Sequence, residues 1–407
     1  MIGAWVSQID CRFIDRPFPM APPAAAKSPP IHRNHGSLGP GGLGVLAILM
    51  GVLLIVGGCS DLPYYWQAGM GQLEILNNRR PLDEVLADPG TSTETRRKLR
   101  LIQSVQNFAT ERLAIPVEGH FRYYADLERP YVSWLVIASQ PLALEEYKFC
   151  YFIVGCLGYR GFFDPVDAES LAGELRGENL DVIVRPARAY STLGWFDDPV
   201  LNTFLKGEDV DLIATVIHEQ SHGVFFLEGE TAFNESFATF VETEGVRQFL
   251  AQFEDPGQGA TLERFENIRK ERLRFQDLLK RTRARLEHLY ASDQPPETKR
   301  TEKAQLIEKL REDYRVARDS FKILNYEAWF RQPLNNAHFV GLAHYTLHVP
   351  AFEALFNESG RDFNRFYTAV ESLAALPPAE RNARLQKLEQ ELVRESEKKL
   401  VAKRHPR

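Results

Sequence analysis

Residues 216–222 read Val-Ile-His-Glu-Gln-Ser-His, and the spacing of the two histidines constrains this chain more than any other feature. At 3.6 residues per turn, positions i and i+4 leave a helix on one face. His218 and His222 can therefore offer both imidazoles to one ion only if the segment is helical. The surrounding run DLIATVIHEQSHGVFF is amphipathic, with Ile213, Val216 and Ile217 available to anchor it. It predicts a helix over 210–226 with the motif in its interior. Zinc takes neutral imidazole nitrogens, and in a catalytic site it keeps one position open for water. Glu219, between the histidines, is the carboxylate placed to take a proton from that water as it attacks an amide carbonyl. With ten histidines in 407 residues a chance H-E-x-x-H is rare. The bland alternative is a helix whose two imidazoles are satisfied by hydrogen bonds.

One zinc per chain requires a third protein ligand from a neighbouring element. Thirteen residues beyond His222 comes Glu235, in Phe233-Asn234-Glu235-Ser236-Phe237-Ala238. Glu228-Gly229 supplies a turn, so a second helix over 232–249 runs antiparallel to the first and carries Glu235 back toward the histidines. Glu228 and Glu230 lie in the turn itself, and Glu242 and Glu244 lie further along. Glu242, seven residues after Glu235 on the same face, is either a partner that fixes a histidine tautomer or a solvated carboxylate.

The N-terminus reads as an address. Residues 1–40 are Pro-rich, carry scattered Arg and Lys and show no periodicity, whereas Leu43–Val56 is a run of fourteen uncharged, mostly large apolar residues. It ends in Val56-Gly57-Gly58-Cys59, the pattern of a bacterial lipobox, in which the chain is cut before Cys59 and the thiol is acylated. The alternative is a short membrane anchor with an incidental cysteine. Either predicts an exported, membrane-anchored chain; the lipobox makes it a lipoprotein facing the periplasm. Net charge is −6 and no nucleic-acid motif occurs, which argues against a nucleic-acid binder. In an oxidising compartment Cys150 and Cys156 close a short disulfide loop; the alternative is a pair of buried thiols.

Four regions follow: a leader and signal peptide at 1–58, an α+β core at 59–260, a helical hairpin at 261–325, and a helical region at 326–407 that completes the core and ends in a charged tail. Leu99, Ile102, Val105, Phe108 and Ala109 recur at helical spacing within a helical stretch from 61 to 113. Aromatic and β-branched residues dominate 118–165, and further strands are expected at 180–184 and 189–195. Two charged helices around Pro295-Pro296 form the antiparallel hairpin, a solvated or partner-facing arm. The fold class is α+β, with a small mixed sheet packed beside the motif helix.

His218-Glu219-x-x-His222 followed by Asn234-Glu235-Ser236-Phe237-Ala238 resembles the gluzincin arrangement. More narrowly, it is similar to the bacterial putative aminopeptidase family of exported zinc-peptidase-like proteins. Gly71-Gln72-Leu73-Glu74-Ile75-Leu76, Val154-Gly155-Cys156 with Tyr159-Arg160-Gly161-Phe162-Phe163, Ala189 to Phe196, and Leu334-Asn335-Asn336-Ala337 carry the same resemblance. It implies metallopeptidase activity on peptide or protein substrates, His218, His222 and Glu235 as zinc ligands, and Glu219 as general base. Tyr345 is the candidate donor to the oxyanion formed on attack, with a core aromatic as the alternative; His344 and His348 are its neighbours on other faces of one helix. Tyr190, Ser191 and Thr192, on an edge strand, are candidates to pair with substrate backbone. Two other readings stand beside the aminopeptidase: an endopeptidase specific for an envelope protein, and a metal-stabilised scaffold that binds a protein partner through 261–325.

Overall fold

The computed structural model describes residues 62–116, 121–151, 155–188, 198–252, 261–340 and 347–404, with backbone alone for 395–404. The leader and Cys59 lie outside the described residues. Among those described, no helix is long and apolar enough to cross a membrane.

Helix α1 (Leu62–Asn77) buries Tyr64, Ala68, Gly71, Gln72 and Ile75. A side chain at position 71 is impossible without movement: a Cβ there would stand 2.1 Å from the Phe163 ring. Gln67 fastens the same contact, accepting from Phe163 N at 3.0 Å and donating to Gly161 O at 3.4 Å. These bonds explain why Gly71 and the Gly161-Phe162-Phe163 segment, far apart in sequence, both read as motifs. The helical pattern expected from 61 to 113 is then broken by a strand, β1 (Arg79–Pro81), before α2 (Leu82–Ala87) and α3 (Thr93–Leu113) resume it. Ser92 caps α3 by accepting from Thr95 N, and Leu99, Ile102, Val105, Phe108 and Ala109 are all buried.

The strand-rich region holds β2 (Tyr123–Ala125), β3 (Ser133–Ser139), β4 (Phe149–Tyr151), β5 (Gly155–Leu157) and β6 (Tyr159–Phe162). Helix α4 (Pro165–Gly177), β7 (Asp181–Ala187) and β8 (Val200–Leu201) follow. The described strands make three pieces rather than one sheet. The order β1-β2-β8 is mixed, with β2 and β8 parallel; β6-β3-β7 is antiparallel; β4 and β5 form a hairpin. On one side β3 and β7 bury Val136, Ala138 and Val182 with Ala168, Ala172 and Leu175 of α4, and on the other Ile137 and Ile183 meet Ala337 and Val340. The strand expected at 189–195 lies outside the described residues.

Helices α5 (Asp209–His222) and α6 (Thr231–Gln252) form the centre of the main core, followed by α7 (Leu262–Ala291), α8 (Pro296–Ala317) and the short α9 (Glu327–Phe330). The chain ends with α10 (Val349–Glu358), α11 (Phe363–Ala374) and α12 (Pro378–Arg404). The motif helix does not have the sheet as its immediate neighbour. It packs chiefly on α6 and α3, and shares the core with the mixed sheet through Ala125, Val200 and Leu201.

The α7–α8 hairpin is built into this body along its length. Phe265 belongs to the main core, whereas Phe275, Leu279 and Leu286 pack with Leu310, Tyr326 and Phe339 in a second one. Polar bonds reinforce the docking: Arg264 to Glu208 and Arg272 to Asp211 at 2.8 Å each, Arg283 to Phe339 O at 2.7 Å, and Lys303 to Asp181 and to Pro141 O. Asn335-Asn336 is the junction. Asn335 caps a short 3-10 turn (Asn336–His338) and donates to Val182 O at 3.2 Å. Asn336 bonds Asp181, Gln140 O, Ala143 O and the Tyr290 hydroxyl. That turn also overturns the expectation of one helix through 335–348: His348 precedes α10, and His344 lies outside the described residues.

Two outcomes follow. Gly71→Ala forces α1 away from Phe163 and lowers stability by about 1–3 kcal/mol, read as a urea midpoint shift at constant slope. His338, whose burial and neighbouring Arg185 press its pKa down from 6.5 to about 3, stays neutral in the fold and protonates first in the unfolded chain. Its contribution is whole above pH 6.5 and is lost as pH falls toward 3. Unfolding free energy measured across that window declines, at up to about 1.4 kcal/mol per pH unit for this one proton, and declines less in His338→Gln.

Candidate metal centre

The first turn of α5 is clamped by cations from two other helices. Arg97 of α3 bonds Asp209 at 2.5 and 2.8 Å, while Arg264 and Arg272 of α7 hold Glu208 and Asp211. Lys98, buried and with its pKa lowered by that burial, donates to Leu205 O and Gly207 O in the loop just before the helix. The acidic residues also suit the positive end of the helix dipole.

At its other end α5 stops at His222, with Gly223 as C-cap, so the motif fills the last turns of the helix rather than its interior. The apolar pattern continues past this point for a tertiary reason: Phe225 turns back to pack on Phe233 and Phe237, each at 5.8 Å between ring centres. Gly229 adopts φ +78°, a left-handed conformation that favours glycine, and the chain reverses. Asn234 locks the reversal by accepting from Leu227 N and donating to Leu227 O, both at 2.8 Å. Gly245 lets α6 approach, since a Cβ there would lie 2.7 Å from Leu113 and 3.1 Å from Ile217.

This antiparallel pair brings His218, His222 and Glu235 together, with one ligand atom from each within 4.8 Å of the others. His218 and Glu235 are 2% and 3% exposed. His218 Nε2 lies 3.4 Å from Glu235 Oε2, and His222 Nε2 lies 3.8 Å from Glu235 Oε1. The two imidazoles meet edge to face at 5.1 Å. Ligand atoms around a tetrahedral zinc stand roughly 3.3 Å apart, so this spacing fits an ion with little adjustment. A second observation agrees: His218 Nε2 and Glu235 Oε2 are buried without a hydrogen bond. Buried polar atoms of that kind cost stability unless something satisfies them.

Glu242, about two turns further along α6 than Glu235, contacts the far nitrogen of the first ring, with His218 Nδ1 to Glu242 Oε2 at 3.0 Å. A proton held on Nδ1 for this bond leaves the Nε2 lone pair for a metal. Burial alone favours the neutral ring; the Glu235 and Glu242 carboxylates outweigh it and push the His218 pKa up to about 10, so an ion that takes Nε2 displaces a proton from it. The other acidic rivals are engaged or exposed. Glu230 pairs with Arg381, Glu244 with Arg361 at 2.5 Å, and Glu228 is exposed. Glu219 is buried on α5 beside His218.

Of the other expected residues, Cys150 and Cys156 face each other across β4 and β5 and form a disulfide, with Cα atoms 3.9 Å apart. Tyr345, Tyr190, Ser191, Thr192 and Cys59 lie outside the described residues. Two residues quoted only as part of the glutamate motif have positioning roles that the sequence did not show. One is Asn234, described above; the other is Ser236, whose hydroxyl accepts from His348 N at 3.1 Å and ties the glutamate helix to the start of α10. Both stand in the Asn234-Glu235-Ser236 motif, but the motif itself does not say which backbone groups the two flanking side chains meet.

Fold and cluster together define a mixed α+β protein in which two antiparallel helices present a His-His-Glu triad, buried at His218 and Glu235 and half-buried at His222. The chain belongs to the family described as "putative aminopeptidase", whose family model matches residues 63–385. That membership points to peptidase function, and the matched span includes the α7–α8 hairpin. No curated protein and no solved structure matches the chain.

If Glu242 orients His218, Glu242→Gln weakens zinc binding about ten- to a hundredfold with the fold unchanged, measured by chelator competition beside circular dichroism.

Proposed function

We propose that this chain is a zinc-dependent peptidase, an aminopeptidase of gluzincin type, exported and tethered to the envelope through Cys59. The observation that carries the zinc reading is the buried, unbonded pair of His218 Nε2 and Glu235 Oε2 beside His222. His218, His222 and Glu235 would hold the ion. Zinc bound there supplies Lewis-acid polarisation of the scissile carbonyl and lowers the pKa of the attacking water.

The remaining work falls to side chains. The Glu219 carboxylate accepts a proton from the water as it attacks and returns it to the leaving amine, so it cycles between ionised and protonated forms within one turnover. Glu242 holds the His218 ring in one tautomer through the whole cycle. Tyr345 is the candidate donor to the oxyanion, and residues 190–192 the candidate edge for substrate backbone. The substrates in this reading are peptides or accessible chain ends in the envelope.

The test is a set of variants scored for zinc and for hydrolysis. Wild type carries close to one zinc per chain; His222→Ala and Glu235→Ala lose it. Glu219→Gln keeps zinc while peptide hydrolysis falls by about 10² or more. Peptides with blocked N-termini separate aminopeptidase from endopeptidase action. A well-folded wild-type chain without zinc, or full activity in Glu219→Gln, would overturn the assignment.

A further inference from the structure

Helix α1 has an outer face that the rest of the described protein leaves open. Leu62, Trp66, Met70 and Leu73 are 52%, 71%, 48% and 47% exposed. At 100° per residue they fall within a single arc of about 80°, and the exposed Pro63 and Gly69 lie in or close beside it. Among the described residues no other helix carries more than two exposed large apolar side chains. Charge is absent from the whole of 62–73. The helix's one charged residue, Glu74, is bound to Arg129 at 2.5 Å.

Within 62–73 this face has no charge and one hydrogen-bonding side-chain group, the Trp66 indole N–H; Asn77, on the same arc, adds an amide only at the helix's last residue. The face has what a lipid surface takes: aliphatic side chains and an indole, the ring that settles at the boundary of headgroups and acyl chains. The upstream sequence delivers the helix there. The apolar run ends at Val56, six residues before Leu62, a stretch that spans at most about 20 Å when extended. Cys59 is nearer still.

We propose that α1 lies flat in the membrane interface with Leu62, Trp66, Met70 and Leu73 in the lipid, as a second contact beyond the N-terminal anchor. Gly71 against Phe163, the two Gln67 bonds and Ile75 in the main core fix α1 to the body, so the lipid contact sets the orientation of the whole domain. The reach of the helix to the bilayer rests on the anchor reading of 43–59. It does not depend on zinc or on peptidase activity.

The experiment uses the full chain reconstituted into phosphatidylcholine vesicles, with plain or dibrominated acyl chains. Trp66 emission is taken as the difference between wild type and Trp66→Phe; a second probe, Leu73→Trp, is read in the Trp66→Phe background. A helix lying flat holds positions 66 and 73 at one depth although they are about 10 Å apart along its axis. Brominated lipid therefore reduces both emissions by roughly twofold or more, and both are shielded from aqueous iodide. Quenching of Trp66 alone would mean that the helix leaves the surface, and would overturn the proposal. Iodide shielding without bromine quenching would overturn it in favour of a second copy of the chain on this face. Chain that floats with vesicles but shows neither effect refutes the α1 contact and leaves the anchor standing. Chain that does not float refutes both.

Discussion

Everything at the candidate centre depends on two buried helices meeting closely enough for polar side chains to satisfy one another in the absence of water. His218, Glu235 and Glu242 sit at that contact, where an unbalanced charge or an unpaired lone pair is costly. The antiparallel register of α5 and α6 is therefore under two demands at once. Apolar residues such as Ile217 and Phe237 must pack, and the imidazole of His218 must fall between two carboxylates. Gly245 meets the first demand by removing a side chain from the contact, and Asn234 meets the second by fixing where the second helix begins.

The grouping of His218, His222 and Glu235 was legible in the sequence because its geometry is local. The i, i+4 spacing of His218 and His222 and the Glu228-Gly229 turn that sends Glu235 back are properties of short segments. What could not be read depends on long-range partners. Phe225 and Phe226 extend the apolar pattern of α5, and nothing in that pattern says that Phe225 will fold over onto Phe233 and end the helix at His222. Arg79-Arg80-Pro81 has no strand propensity; only its pairing with β2 makes it a strand. The sheet was expected beside the motif helix, yet apolar composition is the same whichever core a segment joins. The hairpin looked like an arm because its charges are interleaved. Many of them, Arg264, Arg272, Arg283 and Lys303 among them, turn out to be bonded to the core.

Those bonds alter what the hairpin can be. A module that swings free to catch a partner should meet the body at its base alone. Here one end grips the first turn of the H-E-x-x-H helix, and further along it meets the junction built by Asn335 and Asn336 beside β7. Its outer surface stays open to a partner, but the hairpin is also part of the frame that holds α5 in place. A scaffold role and a peptidase role would share these residues, so neither is separable by cutting the hairpin away.

The charge balance of α6 has a consequence in time. Glu230, Glu235, Glu242 and Glu244 fall within fifteen residues; the cation that answers Glu230 is Arg381, and Glu244, with Arg247 of its own helix 3.8 Å away, takes its closer partner from Arg361, both more than a hundred positions later. Ser236 likewise waits for the backbone of His348. A chain made or threaded from its N-terminus thus carries both ligand helices before the partners that brace the second one exist. The turn at Gly229 and the Asn234 bonds can bring Glu235 back early, but the bracing of its helix by His348, Arg361 and Arg381 comes only with the last helices.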